Sequence, residues 1–213
     1  DLVARLREIN VFSRVEAGFI RSDPSIEEAA ARLGDGGLAI YPLFMSDGYY
    51  VREAIPRRLG AAGAEILTPL GLDPALPPLV AEIGMEAAHG AGLEPALAHL
   101  LLVAHGSSKS GESAAATRAV ARRIDAAGDF ASLTVAFLEE EPFLDSALKK
   151  VPGPAVLLGL FAGDGMHAAE DLPAALKDSG RTDVVLAGSL GTDSRLADLV
   201  VSAIVAYAKT HSR

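Results

Sequence analysis

The chain has no cysteine and no tryptophan, and only 5% of its 213 residues are aromatic. Without thiols there can be no disulfide framework, thiolate metal centre or cysteine nucleophile, so any metal must be held by histidine and carboxylate. The scarcity of aromatic rings, set against abundant alanine, leucine, valine and glycine, speaks against a β-sandwich. It fits short buried strands alternating with alanine-rich helices. There is also no cluster of basic residues. A formal net charge of -9 and a pI near 5 exclude a phosphate-neutralising stripe, and with it a nucleic-acid partner. No apolar run approaches a membrane span, since Leu100 to Ala104 is strand-sized and polar residues follow it at once. With no signal peptide visible, a cytoplasmic protein is the default expectation. The helical pattern starts directly after Asp1, so a further N-terminal strand is expected upstream.

What is present, above all, is an internal repeat. Leu43-Phe44-Met45-Ser46-Asp47-Gly48 aligns with Leu160-Phe161-Ala162-Gly163-Asp164-Gly165, an offset of 117 (Leu43 to Leu160). At the same offset Glu53, Pro56 and Leu59 fall on Glu170, Pro173 and Leu176. Leu70-Gly71-Leu72-Asp73 falls on Leu190-Gly191-Thr192-Asp193, an offset of 120 (Leu70 to Leu190). Upstream, Phe19 to Pro24 falls on Phe137 to Pro142, an offset of 118 (Phe19 to Phe137). Alanine-rich helices could match by chance once, but they would not keep Gly, Asp and Pro in register across three separate motifs.

The second half reads as strands at Leu100 to Ala104, Leu133 to Leu138, Ala155 to Phe161 and Val184 to Ala187. Helices are predicted at Glu112 to Ala127, Leu144 to Lys150, about Ala168 to Lys177, and Ser194 to Lys209. This βαβα order implies a parallel sheet with helices on both faces. Gly84, Gly90, Gly92 and Pro95 mark an expected linker over residues 84 to 98, dividing a lobe at 1–90 from one at 99–213.

In a parallel sheet the loops after the strand C-termini share one edge, where ligands bind. His105 and Glu139 each follow a predicted strand, and His167 lies a short loop beyond a third. Two imidazoles and a carboxylate at neighbouring strand ends can hold a metal with positions left open for a substrate. Each has a plain structural alternative. His105 in His105-Gly106-Ser107-Ser108 could hydrogen-bond a turn, His167 could open a helix without ligand duty, and Glu139-Glu140-Glu141-Pro142 could be an acidic cap on the next helix. His89, His99 and His211 fall in linker or tail positions and are expected at the surface.

Other motifs can be set aside. Gly106 to Gly111 has the glycine spacing of a P-loop, but Glu112 stands where lysine is required, so ATP is not expected. There is no G-x-S-x-G and no G-x-G-x-x-G opening a helix, which removes the serine-hydrolase and dinucleotide fingerprints. The small residues after His105 could instead let backbone approach a flat ligand.

Leu101-Leu102-Val103-Ala104-His105-Gly106-Ser107, Phe137-Leu138-Glu139-Glu140-Glu141-Pro142 and Leu160 to His167 together resemble the three signatures of the CbiX and SirB sirohydrochlorin chelatases. The resemblance covers nearly the whole chain, because the first half carries degenerate versions of the later signatures. It implies an α/β fold of two flavodoxin-like, chelatase-like halves with parallel sheets, related by internal duplication, with the metal site in a cleft between halves. It implies a class II chelatase acting without nucleotide on a small-molecule tetrapyrrole, as a monomer or weak homodimer. The divalent metal is a substrate, Co²⁺ for cobalamin biosynthesis, with Fe²⁺ for sirohaem or Ni²⁺ as alternatives. A non-catalytic tetrapyrrole or metal carrier is the rival reading. The resemblance makes His105 and His167 metal ligands and proton acceptors, with Glu139 the third ligand and Glu141 the alternative. Gly106, Ser107, Ser108 and Lys109, together with Tyr49, Tyr50 and Arg52 on the facing wall, would contact the macrocycle and its carboxylates. Tyr50 stands where the second half has His167, and Arg21 where it has Glu139, so the first half is expected to cover substrate rather than bind a second metal.

Overall fold

Short apolar runs of strand length, and apolar residues that recur every three to four positions along helices, build two parallel sheets flanked by helices. A computed structural model describes residues 2–34, 37–60, 64–107, 111–162 and 170–211. Its elements run α1 (Leu2–Ile9), α2 (Ile26–Leu33), β1 (Ala39–Ile40), α3 (Ile55–Leu59), β2 (Glu65–Ile66), α4 (Leu76–Gly90) and β3 (His99–Ala104). They continue with α5 (Glu112–Ala127), β4 (Ser132–Phe137), α6 (Leu144–Leu148), β5 (Ala155–Gly159), α7 (Leu172–Ser179), β6 (Val184–Ser189) and α8 (Arg195–His211). The fold is α/β with two parallel sheets, one of β1 and β2 and one ordered β4-β3-β5-β6.

The four-stranded sheet is organised by β3, which is paired on both sides and buried at all six residues. Burial on both faces explains why it reads as an unbroken apolar run rather than an alternating one. Leu101 and Val103 pack into a cluster with Leu144, Leu148, Leu157 and Leu172, from α6, β5 and α7. Leu100 points the other way, close to Gly84 of α4. Each fully buried leucine here stabilises the fold by roughly 2 kcal/mol.

The duplication is written into the backbone. Phe19 N–H donates to Pro24 O at 2.9 Å, and Phe137 N–H donates to Pro142 O at 2.9 Å. Gly71 N–H bonds Phe44 O at 3.0 Å, and its repeat equivalent Gly191 bonds Phe161 O at 2.7 Å. A π-helical turn spans Tyr50–Ala54, and Glu170 and Asp171, equivalent to Glu53 and Ala54, lie in the same backbone form. The sheets are unequal, however. Residues 14–18 occupy the position of β4 but form no ladder, because the described residues of the first repeat contain no counterpart of β3 to pair with them.

The compact units do not coincide with the two stretches 1–90 and 99–213 that mark the repeats in sequence. One unit comprises Asp1–Asp73 with Ser194–Arg213, the other Pro74–Asp193. Each repeat therefore ends in a helix that packs in the other unit. Helix α4 covers β5 and β6. Helix α8 packs on α1 through Leu6, Ala197 and Val200, and Tyr207 OH donates to Glu65 at 2.9 Å. The linker is also shorter than expected. Gly84 lies inside α4, where a Cβ would come 3.0 Å from the Phe130 ring, so its lack of a side chain serves packing rather than chain reversal. The break begins at Gly92, whose φ is +73°.

His99, expected at the surface, is the first residue of β3 and is only 5% exposed. His89 and His211 are exposed as expected. His99 Nδ1 meets the Ser132 hydroxyl, whereas its Nε2 is buried without a hydrogen-bond partner among the described residues. Burial, and secondarily the Arg181 guanidinium, pushes the imidazole below its ordinary value. The folded state thus binds fewer protons than the unfolded chain, and stability contributed by neutral His99 is full above about pH 6.5 and lost as pH falls below it. We predict that urea midpoints measured from pH 7.5 to pH 5 will fall for the wild type, with a shallower fall in His99→Gln. Equal slopes for the two proteins would contradict this.

Candidate metal and tetrapyrrole site

The register of the four-stranded sheet brings the ends of β3 and β4 together. Leu138 N–H donates to Ala104 O at 3.1 Å and Glu139 N–H donates to His105 O at 2.9 Å, so His105 and Glu139 leave the sheet side by side. His105 Nδ1 lies 3.7 Å from Glu139 Oε2. That is too long for a hydrogen bond. It is close to the roughly 3.4 Å that separates two ligand atoms on one tetrahedral metal with bonds near 2.1 Å. Both side chains are about half exposed, at 43% and 55%. Nδ1 also sits 3.3 Å from Gly106 O. With the proton on Nδ1, Nε2 offers its lone pair outward, and in the other tautomer Nδ1 and Glu139 can share one cation.

The three consecutive glutamates separate in space. Glu139 faces His105, whereas Glu140 Oε1 accepts the Ser107 N–H at 2.8 Å. Glu141 lines a crevice together with Thr134, Ser146 and Lys150. None of them caps the next helix, whose N-cap is Phe143. The bond from Glu140 to Ser107, which sequence reasoning missed, ties the β3 and β4 loops together. It requires Gly106: φ is +76°, and a Cβ there would lie 2.9 Å from Glu140 Cγ and 3.0 Å from Phe137 Cβ. Ser108, Lys109 and His167 lie outside the described residues. Among the described residues no group of three or more His, Asp or Glu side chains is arranged to hold a metal. What is described at this edge is a pair, His105 after β3 and Glu139 after β4, and β3 is flanked on its other side by β5, which precedes His167 in the sequence.

The corresponding edge of the other unit carries aromatic rings and arginines. Tyr50 stacks on Phe44 with centroids 5.7 Å apart, and Tyr49 meets Tyr50 edge-on at 5.6 Å. Arg52 donates to Asp47 at 3.0 Å, so it is ion-paired within its own loop. Arg21 Nη2 donates to Tyr50 OH at 2.7 Å, and Arg57 Nη2 donates to Tyr49 OH at 3.1 Å. Arg21 and Tyr50 are the repeat equivalents of Glu139 and His167, and they touch. Behind this cluster Tyr41 follows β1 and donates to Asp73 at 2.9 Å. Burial, reinforced by that carboxylate, holds the phenol well above its ordinary range and therefore neutral.

The CbiX family model matches residues 1–86 and again residues 99–206, almost the whole chain in two copies. The chain belongs to the CbiX family. A solved CbiX, described as the terminal enzyme for biosynthesis of siroheme in denitrifying bacteria, is 34% identical. It covers 96% of this chain and 88% of its own, with a TM-score of 0.82. A curated relative from Halobacterium salinarum, a probable sirohydrochlorin cobaltochelatase, is 26% identical over 92% of this chain and 80% of its own length. SirB from Bacillus subtilis with Fe³⁺ shares the fold at 16% identity, with a TM-score of 0.75 over 96% of this chain and 86% of its own. The two CbiX matches fall on the two repeats, so the family unit occurs twice in one chain.

Replacing Gly106 by alanine would impose a left-handed conformation on a residue with a Cβ and would displace Glu140. We predict a loss of about 1–3 kcal/mol in unfolding free energy and a shift of the His105 imidazole resonances in NMR spectra. An unchanged denaturation midpoint together with unchanged histidine resonances would show that the loop tie has no role.

Proposed function

We propose that this protein inserts a divalent metal into sirohydrochlorin without ATP, with the ion held by His105, Glu139 and His167. The observation that carries this reading is the 3.7 Å approach of His105 and Glu139 at adjacent strand ends. The repeat supports adding the third residue: Arg21 and Tyr50, which align with Glu139 and His167, are in contact in the first repeat. Family membership supports the same reaction class.

The chemistry asks for a weak, labile ligand set. Neutral imidazole and carboxylate bind Co²⁺ or Fe²⁺ well enough to strip water, yet leave positions through which macrocycle nitrogens can replace them. Insertion releases two pyrrole protons as the divalent ion enters, so charge is conserved. In this reading His105, His167 and Glu139 take up those protons and pass them to solvent. In the same reading Gly106, Ser107, Ser108 and Lys109 would contact the macrocycle, and Tyr49, Tyr50 and Arg52 would supply stacking surface and charge.

Cobalt is the reading shared with the curated Halobacterium relative, named for cobalt. Iron is the second reading, favoured by the solved CbiX at 34% identity, which is described as acting in siroheme biosynthesis. Ligand type does not separate the two metals. An anaerobic assay with sirohydrochlorin and Co²⁺, Fe²⁺ or Ni²⁺, followed by absorbance, separates them and also separates an enzyme from a carrier, which would bind without turnover. In that assay His167→Ala should lower the insertion rate at least about 100-fold, because one imidazole ligand and one proton acceptor are gone. Tyr50→Phe should instead weaken tetrapyrrole affinity. Near-normal rates for His167→Ala, or equal inactivity of both variants, would overturn the asymmetric metal site.

A further inference from the structure

Of the two positions that the repeat pairs with Glu139 and His167, one now carries a fixed positive charge and the other a phenol. The exchange extends beyond that pair. Arg52 and Arg57 align with Ala169 and Ala174, and Tyr49 aligns with Met166, at the offset of 117 that relates Leu43 to Leu160. The first repeat thus has three arginines and two tyrosines at these positions where the second has Glu, Ala, Ala, Met and His.

The hydrogen bonds divide these arginines into two groups. Arg52 is neutralised by Asp47. Nearby Arg58 is bound by Glu27 through two contacts of 2.6 Å, and that hydrogen bonding pulls the Glu27 carboxyl down to about 2. Arg21 and Arg57 are different. Each is exposed, and each uses one Nη to bond a tyrosine hydroxyl; neither is ion-paired among the described residues. A phenol accepts one N–H and orients the guanidinium without cancelling its charge, so the remaining donors face solvent. Two guanidinium groups without a carboxylate partner among the described residues thus flank two aromatic rings in a chain of net charge -9. The rings offer a stacking face, and the planar forks match carboxylates bidentately.

We propose that the first repeat's former metal site has become an anion clamp, in which Arg21 and Arg57, held in place by Tyr50 and Tyr49, bind peripheral carboxylates of the tetrapyrrole. This rests on the tetrapyrrole reading of the preceding subsection and adds two specificity residues to it. A planar ligand with many carboxylates is selected over one with few, because each carboxylate in reach of a guanidinium adds a charge-assisted hydrogen bond.

Equilibrium binding of metal-free porphyrins by fluorescence tests this independently of catalysis. The probes are uroporphyrin, an octacarboxylate, and deuteroporphyrin, a dicarboxylate. Arg21→Gln and Arg57→Gln should each raise the uroporphyrin Kd roughly 5- to 10-fold and reduce the dependence of log Kd on log salt, with little change for deuteroporphyrin. Arg→Lys should recover the salt dependence but only part of the affinity. Tyr49→Phe and Tyr50→Phe, which keep ring and charge, should leave the salt dependence intact. Thermal melting and binding of Co²⁺ alone check that each variant is folded. Wild-type affinity and salt dependence in both Arg→Gln variants would overturn the clamp, as would a wild type that binds the two porphyrins equally or not at all. A wild type that shows the arginine-dependent preference but inserts no metal would leave the clamp standing and defeat the chelatase reading.

Discussion

Everything at the ligand edge of the larger unit depends on the pairing of β3 with strands on both sides. Its six residues are fully covered, and its neighbours hydrogen-bond past its end, Leu138 to Ala104 on one side and Leu160 to Val103 on the other. A strand fixed on both sides and both faces has no freedom to slide, because a one-residue slip would reverse every side chain. His105, the next residue, inherits that fixed position. Gly106 and the Glu140 to Ser107 bond then turn the chain without moving it. The half-exposed His105 and Glu139 pair is thereby carried on a rigid support, which suits the metal exchange proposed above.

The other unit shows the same scaffold without that strand. β1 and β2 pair over two residues each, and residues 14–18 have no ladder. Its order comes instead from side chains. Ser25 and Glu28 form a reciprocal cap at the start of α2, Arg58 joins Glu27 and the Ile20 carbonyl, and Tyr41 bonds Asp73. The helix exchange adds to this, since α8 supplies apolar contacts that the short sheet cannot. The two copies also differ in chemistry: at equivalent positions one has Glu139 and His167 and the other Arg21 and Tyr50, which is the basis of the cation site and the anion clamp proposed above.

Much of this was legible in the sequence, for identifiable reasons. The repeat could be read because Gly, Pro and Asp at turns are constrained by backbone geometry, and those turns recur with the same hydrogen bonds, as Gly71 and Gly191 show. The α/β class and parallel sheets followed from apolar runs of strand length between helical patterns. Three features were not legible. His99 sits after a Pro-containing turn and looks like linker, and only the register of β3 with Ser132 and Ala155 buries it. Helices α4 and α8 have equivalent patterns, so nothing local says which sheet each covers. The separate duties of Glu139, Glu140 and Glu141 depend on the loop conformation, which three identical side chains in a row conceal.

The central claim is that the duplicated scaffold holds one cation site, in the second repeat, and none at its equivalent in the first. Anomalous diffraction from crystals soaked with Co²⁺ at the cobalt edge tests it most directly. The account predicts one strong peak within about 2.3 Å of a His105 ring nitrogen, with Glu139 and His167 completing the coordination, and no peak beside Tyr50 and Arg21. A peak at Tyr50, or bound cobalt that bypasses His105, would contradict it.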